Sequence, residues 1–404
     1  MSEPWPLDSN PADYDLLDVR AVLGDRVLEN ARVIVRDGRI AAVEPMSAAF
    51  AAVGRVPGTT RVPRLRGHGL FVAPGLIDTH SDALEREKRP RPTAELPWEF
   101  AIVSLEGRAV GAGVTTMFHG AGFQNKESHK VTRTPGRALE LAGVVDAAPA
   151  QRIDHRVLHR LDILSDEGAA ALGRRLESLA DASPAPLVSF EDHTPGQGQY
   201  TDPEPLKSYW VGMEAVSAEE ADARIAQLME RAEKFAPTAE ANTAWLGGLA
   251  TDGRIRLLGH DPDSAEMIAH LVSLHCVAAE FPVNLEAARA ARAAGLLIVG
   301  GAPNLLRGGS HTNNVAAADL LREGLLDVLS SDYLPSALLA AAFRAADDQI
   351  TDLPHAIGLV TSGPARLAGL DDRGRLAEGL RADLVVVDAS GRYPRVATTL
   401  TAQR

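Results

Sequence analysis

Between about residues 71 and 364, short apolar runs alternate with helical ones. No other feature limits the fold as much. Eight runs read as strands: FVAPGLID, GVTTMF, HRVLHRLDIL, PLVSF, RIRLLG, CVAAEF, LLIVGG and LLDVLSS. Helical stretches such as NLEAARAARAAG and VAAADLLREG stand between them. Strict β–α alternation calls for a parallel sheet with crossover helices. Eight strands over this length predict an α/β fold of the TIM-like (β/α)8 barrel type, which needs about 250 residues. Both chain ends instead carry short alternating strands between glycines. Residues 1–70 and 365–404 are therefore expected to combine into a small β-sandwich, with the barrel at 71–364. The segment at about 198–250 exceeds what a bare barrel needs. It predicts a helical insertion, with Ser217 as the N-cap of one helix and TAEANTAWLGGLA as a second.

Composition narrows what the chain can bind. Its 404 residues hold 41 Lys and Arg against 54 Asp and Glu, a formal charge of −13. That opposes non-specific binding to nucleic acid or an anionic membrane, both of which need a cationic surface. Cys276 is the single cysteine, so thiolate clusters and internal disulfides are excluded. Any metal site must use imidazole and carboxylate. The first twenty residues lack the basic and apolar regions of a secretory signal. No apolar run approaches the 18 or so residues of a membrane helix. A cytoplasmic protein is expected.

In a barrel of this kind, chemistry gathers at the C-terminal ends of the strands. Those ends carry Asp78-Thr79-His80-Ser81-Asp82, Asp162, Glu191-Asp192-His193, His260-Asp261 and Asp332. Zinc and similar divalent ions take imidazole nitrogen and carboxylate oxygen. His80 and Asp82 can turn to one ion if the strand breaks locally. Asp162 is a candidate bridge between two ions, and His193 and His260 complete the second site. Asp332 can bind metal and accept a proton from water. Taken singly, a strand-end His is more often a cap, Asp332 a helix N-cap and Asp162 a surface group. Five such ends on one rim make that account of the whole set strained.

These residues sit in motifs that resemble a known family. VAPGLIDTHSD, GVTT, a terminal SSD and GRLAEGLRADLVVVD are similar to the amidohydrolase superfamily. HSDALE, RPRP, DHTPGQGQY, AEFPVNLEAARAARAAG and GAPNLLRGGSHTNNVAAADLLREGLLDVLSSDYLPSALL resemble its phosphonate-breakdown branch, the diphosphatases of the carbon–phosphorus lyase pathway.

The resemblance implies a metal-bearing barrel with a β-sandwich from both chain ends. It implies hydrolysis of α-D-ribose 1-methylphosphonate 5-triphosphate to the 5-monophosphate, with release of pyrophosphate. His80 and Asp82 match an HxD metal motif, Asp162 falls at a bridging carboxylate, and His193, His260 and Asp332 match the other ligands. One or two divalent ions, zinc by preference, are implied, with Asp332 as the catalytic base. A small phosphorylated substrate needs local cations to overcome the overall charge. Arg307, Gly308, Gly309 and His311 in LLRGGSH are the candidates, with Arg91 after the metal motif. A structural salt bridge is the plainer role for Arg307. An amidohydrolase of a cyclic amide or N-acyl compound would use the same metal residues without the arginines. A homo-oligomer is compatible with either.

Overall fold

The computed structural model describes residues 10–46, 62–91, 93–127, 132–148, 152–214, 216–310 and 314–402. Eight parallel strands form the barrel: β1 (Leu76–Ser81), β2 (Val114–Phe123), β3 (Asp154–Asp162), β4 (Leu187–Glu191), β5 (Arg256–His260), β6 (Ala278–Glu280), β7 (Leu297–Gly301) and β8 (Val328–Ser330). Each strand pairs with its neighbour in chain order. Every one lies within, or overlaps, one of the eight apolar runs. β1 and β8 close the ring through a parallel bridge between Ser81 and Asp332. Side chains reinforce this seam. Asp78 Oδ1 accepts from the Ser331 amide at 3.0 Å, and the Thr79 and Ser330 hydroxyls lie 3.0 Å apart.

FVAPGLID divides at Gly75. Phe71–Pro74 pairs with Leu384–Asp388 in the sheet of the chain ends, while Leu76 begins β1. A Cβ on Gly75 would come within 2.2 Å of Thr115 Oγ1, so only glycine passes there without displacing β2. Seven strands from both ends form one hydrogen-bonded sheet. It wraps its own core of Val19, Val33, Val35, Ile40, Val72, Leu384 and Val386.

The pleat of a strand sends alternate side chains to opposite faces, and this sets the barrel interior. One apolar residue from each strand builds an inner ring: Ile77, Phe118, Leu158, Leu187, Leu258, Ala278, Val299 and Val328. Leu367 and Leu370, from and just after the helix Ser362–Ala368, close it from below. Two residues further along the strands the same parity gives Gly120, Arg160, Ser189, His260 and Glu280. The interior thus turns from apolar to charged within one layer.

The β4–β5 connection carries the insertion: a short helix (Glu204–Tyr209), a turn, then a helix of 34 residues (Ala218–Thr251). Ser217 Oγ caps that helix by accepting from the Glu220 amide at 3.1 Å. The two helices expected here are one, continuous through Pro237. Its second half is anchored on the barrel by buried Leu246 and by Asn242, which donates to the Ile163 carbonyl at 2.9 Å. This packing offsets the backbone hydrogen bond that proline removes.

Candidate metal centre

The strand ends turn sharply where they meet the mouth of the barrel. Asp261 after β5, Phe281 after β6 and Asp332 after β8 have φ of 50°, 54° and 57°. Left-handed backbone costs an ordinary residue roughly 1–2 kcal/mol, and such strain gathers at functional sites. Near the end of β1 the pairing register shifts between Asp78 and Ser81. Asp82 then leaves the strand ahead of the helix Ala83–Lys88.

Three groups of side chains come close enough to share an ion, with one ligand atom from each residue within 4.8 Å of the others. They are His80–Asp82–Asp332, Glu191–His193–His260 and His80–His260–Glu280. His80, Asp82, His193, His260 and Asp332 are therefore brought together. Asp162 is not. It faces the insertion, pairing with Arg231 at 3.1 Å and accepting from the Leu164 amide at 3.0 Å. The carboxylate that meets His193 and His260 is Glu191, one strand further on.

Asp261 supplies a direct sign that a cation fits here. Its Oδ2 is buried and without a hydrogen bond, the one carboxylate oxygen in that state among the described residues. It lies 3.7 Å from His193 Nε2 and 3.5 Å from His260 Nε2. A buried anion beside two imidazoles, with no donor of its own, matches an imidazole–carboxylate metal site.

Two arginines shape the field of the mouth. Arg160 donates to Asp82 at 2.8 and 3.0 Å and to Glu191 at 2.7 and 3.2 Å. Arg133 holds Asp82 at 2.9 Å and Glu85 at 2.6 Å. Burial pushes the Asp82 and Glu191 carboxyls up, but Arg160 outweighs it, and both stay far below the usual carboxylate range. Asp332 shows the opposite balance. Burial, then the neighbouring Asp82, raises it. A carboxyl raised in this way is suited to carrying a proton. Burial likewise pushes Asp261 up to about 6. For His260, burial opposes the charge, but Asp261 and Glu280 lift it to about 9.

Above these groups opens a cavity of about 1520 Å³. Arg307 lines it, on the helix Ala302–Arg307, but its guanidinium bonds the Gly309 carbonyl at 2.6 and 3.1 Å. The structural salt bridge open to it from the sequence is not formed among the described residues. Gly308 is the left-handed C-cap of that helix, with φ of 89°. Arg91 is not on the cavity wall; it lies in an isolated bridge with Ala94. His311 falls outside the described residues. In the place expected for Arg91 stands Arg86, whose guanidinium lies 4.7 Å from the Tyr333 ring centre. Neither Arg86 nor Arg307 has a carboxylate within ion-pair distance among the described residues.

The sequence names Glu191 only as a strand-end residue without a role, and does not single out Glu280, Arg160, Arg133 or Arg86. Glu191 and Glu280 each end an apolar run in a charge, which was a usable signal. Arg160 lies two residues before Asp162, on the same inward parity. Arg133 and Arg86 carried no local signal, since each reaches the mouth from outside the barrel strands.

Comparison with known proteins matches these observations. Residues 211–403 match the model of the amidohydrolase family. The chain is 37% identical over 334 residues to α-D-ribose 1-methylphosphonate 5-triphosphate diphosphatase of Escherichia coli strain K12, covering 81% of this chain and 86% of that one. Among solved structures it is similar to enamidase (TM-score 0.59, 16% identity, 97% of this chain and 95% of that one). It is also similar to N-acetyl-D-glucosamine-6-phosphate deacetylase from Mycobacterium smegmatis (TM-score 0.59, 15% identity, 97% and 99%). These two likenesses show the fold. A relative of this identity over most of both chains shows the family: the chain belongs to the amidohydrolases and is a metal-dependent hydrolase.

Proposed function

We propose that the chain hydrolyses the triphosphate of a ribose phosphonate, α-D-ribose 1-methylphosphonate 5-triphosphate, releasing pyrophosphate in phosphonate breakdown. One observation carries this beyond the family. In a chain of charge −13, the cavity wall carries Arg86 and Arg307 with no carboxylate at ion-pair distance among the described residues, while its other four arginines, Arg133, Arg160, Arg224 and Arg231, are each paired with one. A cyclic amide needs no such spare cations. A polyphosphate does, because local cations must overcome the global field.

His80, Asp82, Glu191, His193, His260 and Asp332 would hold the metal, zinc by preference and one or two per chain. A divalent ion there supplies hydroxide at neutral pH and offsets charge growing on the phosphoryl oxygens. Asp332 takes the proton of the attacking water and later returns it. A P–O bond of the anhydride breaks as the new one forms, and pyrophosphate leaves. Arg86 and Arg307 bind the phosphate chain from the arc of β1, β7 and β8. The activity of the Escherichia coli relative supports the same reading. The reaction is taken to be cytoplasmic.

The test is turnover by the purified, metal-loaded protein. Pyrophosphate and the 5-monophosphate should appear in equal amounts. Turnover of a cyclic amide or N-acyl panel, with the triphosphate untouched, would replace this reading.

A further inference from the structure

His80 and His260 come from different strands and fall in separate groups with Asp82–Asp332 and with Glu191–His193, yet one carboxylate joins them in the third. Glu280, at the end of β6, is fully buried. Its Oε1 lies 2.7 Å from His80 Nδ1, and its Oε2 lies 2.9 Å from His260 Nδ1. Ser189 Oγ donates to Oε2 at 2.7 Å. As a carboxylate, Glu280 offers these three partners only acceptor oxygens. In their neutral forms both imidazoles then carry the proton on Nδ1 and turn Nε2 to the mouth. The rings lie near-parallel, 5.7 Å apart at 23°. Phe281 packs edge-on against both, at 5.2 and 5.4 Å.

We infer that Glu280 is a positioning residue shared by both halves of the metal centre: it fixes the tautomer and ring orientation of His80 and His260 together, and is not itself a ligand. Its two oxygens already take three donors in a sealed layer, so an ion bound to it would have to displace an imidazole. Carboxylates behind ligating histidines commonly set ligand geometry, each serving its own histidine. Here one serves two, so the two groups are not independent. The inference rests on the metal-dependent chemistry and not on the identity of the substrate, so it survives or fails whatever the turnover assay shows.

The first test uses the metal-free wild type, with nitrogen-detected NMR on histidine-labelled full-length protein. His80 and His260 should both be protonated on Nδ1 when neutral. An Nε2–H tautomer at either would overturn the inference without any variant. The second test is Glu280→Gln, read by zinc affinity in chelator competition and by the same spectra. A carboxamide can accept from one imidazole but must present its NH2 to the other. One histidine should switch tautomer, and zinc affinity should fall about 10–100-fold. Unchanged tautomers with affinity within twofold would reduce Glu280 to a packing role. Unchanged tautomers with loss of one zinc per chain would make it a ligand. Either result overturns the inference. Should Glu280→Gln fail to fold, Ser189→Ala keeps the second test open, because both imidazole contacts remain. It should weaken zinc binding severalfold with both tautomers retained, and no change in affinity would count against the shared anchor.

Discussion

The two ends of the barrel use the same residue types to different effect. At the bottom, Arg373 is buried and pairs with Asp154 at 2.7 Å and Asp372 at 2.8 Å, while donating to Thr116 Oγ1 at 2.9 Å. The inner apolar ring and Leu367 and Leu370 lie close by. At the mouth, Arg160 is equally buried between Asp82 and Glu191. There the neighbours are three histidines, and Asp261 keeps an oxygen with no donor. Buried charge does not distinguish a site from a strut. What distinguishes them is valence left over after the local pairs have formed. Burying such a group has a cost that only a ligand or an ion can offset.

The contrast can be broken most sharply at Asp332. Asp332→Asn should lower kcat about 10²–10⁴-fold, the range for losing a general base, while the melting temperature barely moves. A large fall in melting temperature with kcat retained would make Asp332 a strut of the β1–β8 seam.

Arg160→Met should destabilise the metal-free protein by about 3–5 kcal/mol, because it strips buried Glu191 of its arginine and leaves Asp82 with Arg133 alone. Zinc should restore much of that loss. Arg373→Met at the bottom should also destabilise, with no recovery on adding zinc. Urea denaturation with and without zinc measures both. Equal recovery at the two ends would erase the distinction.

Leu158→Ala, in the inner ring, should cost about 2–5 kcal/mol through the cavity it leaves. Zinc affinity and kcat of the folded fraction should stay within about twofold. A parallel loss of zinc affinity would show that the apolar layer sets the geometry of the layer above.

The smallest effect concerns the outer wall of β3. Burial pulls His159 down to about 4, below an ordinary value of 6.5, and its Nδ1 lies 3.1 Å from the Leu187 carbonyl. Its neutral form is the one the fold accepts. Above pH 6.5 it costs nothing. As pH falls toward 4 the unfolded chain takes up a proton that the folded chain refuses. At about 1.4 kcal/mol per unit, the wild type should lose about 3 kcal/mol across that window. His159→Asn keeps a donor to Leu187 and should escape this loss. Parallel stability–pH curves for the two proteins would place the acid sensitivity in the mouth instead.

Much of the architecture was legible because it repeats. Eight apolar runs with helices between them found the barrel, and the terminal HSD and SSD motifs found the two strands that close it. His80, Asp82, His193, His260 and Asp332 were legible because they end strands or directly follow them. Asp162 satisfied the same criterion and is turned to Arg231. Proximity to a strand end does not say which neighbour a side chain will meet. Glu191 stood in plain view two residues before His193. Its meeting with His260 depends on the pairing of β4 with β5, across an insertion of more than fifty residues.

By itself the sequence determined the alternation, the strand ends and the supply of imidazole and carboxylate, because these follow from periods of two and 3.6 along the chain. Tertiary structure alone decided which charges stay unsatisfied. Arg160 reaches Asp82 across 78 residues, and Glu280 reaches His80 across 200. Closing the ring sets those distances. Hydrogen bonding and desolvation act over a few ångströms of space, whatever the separation along the chain.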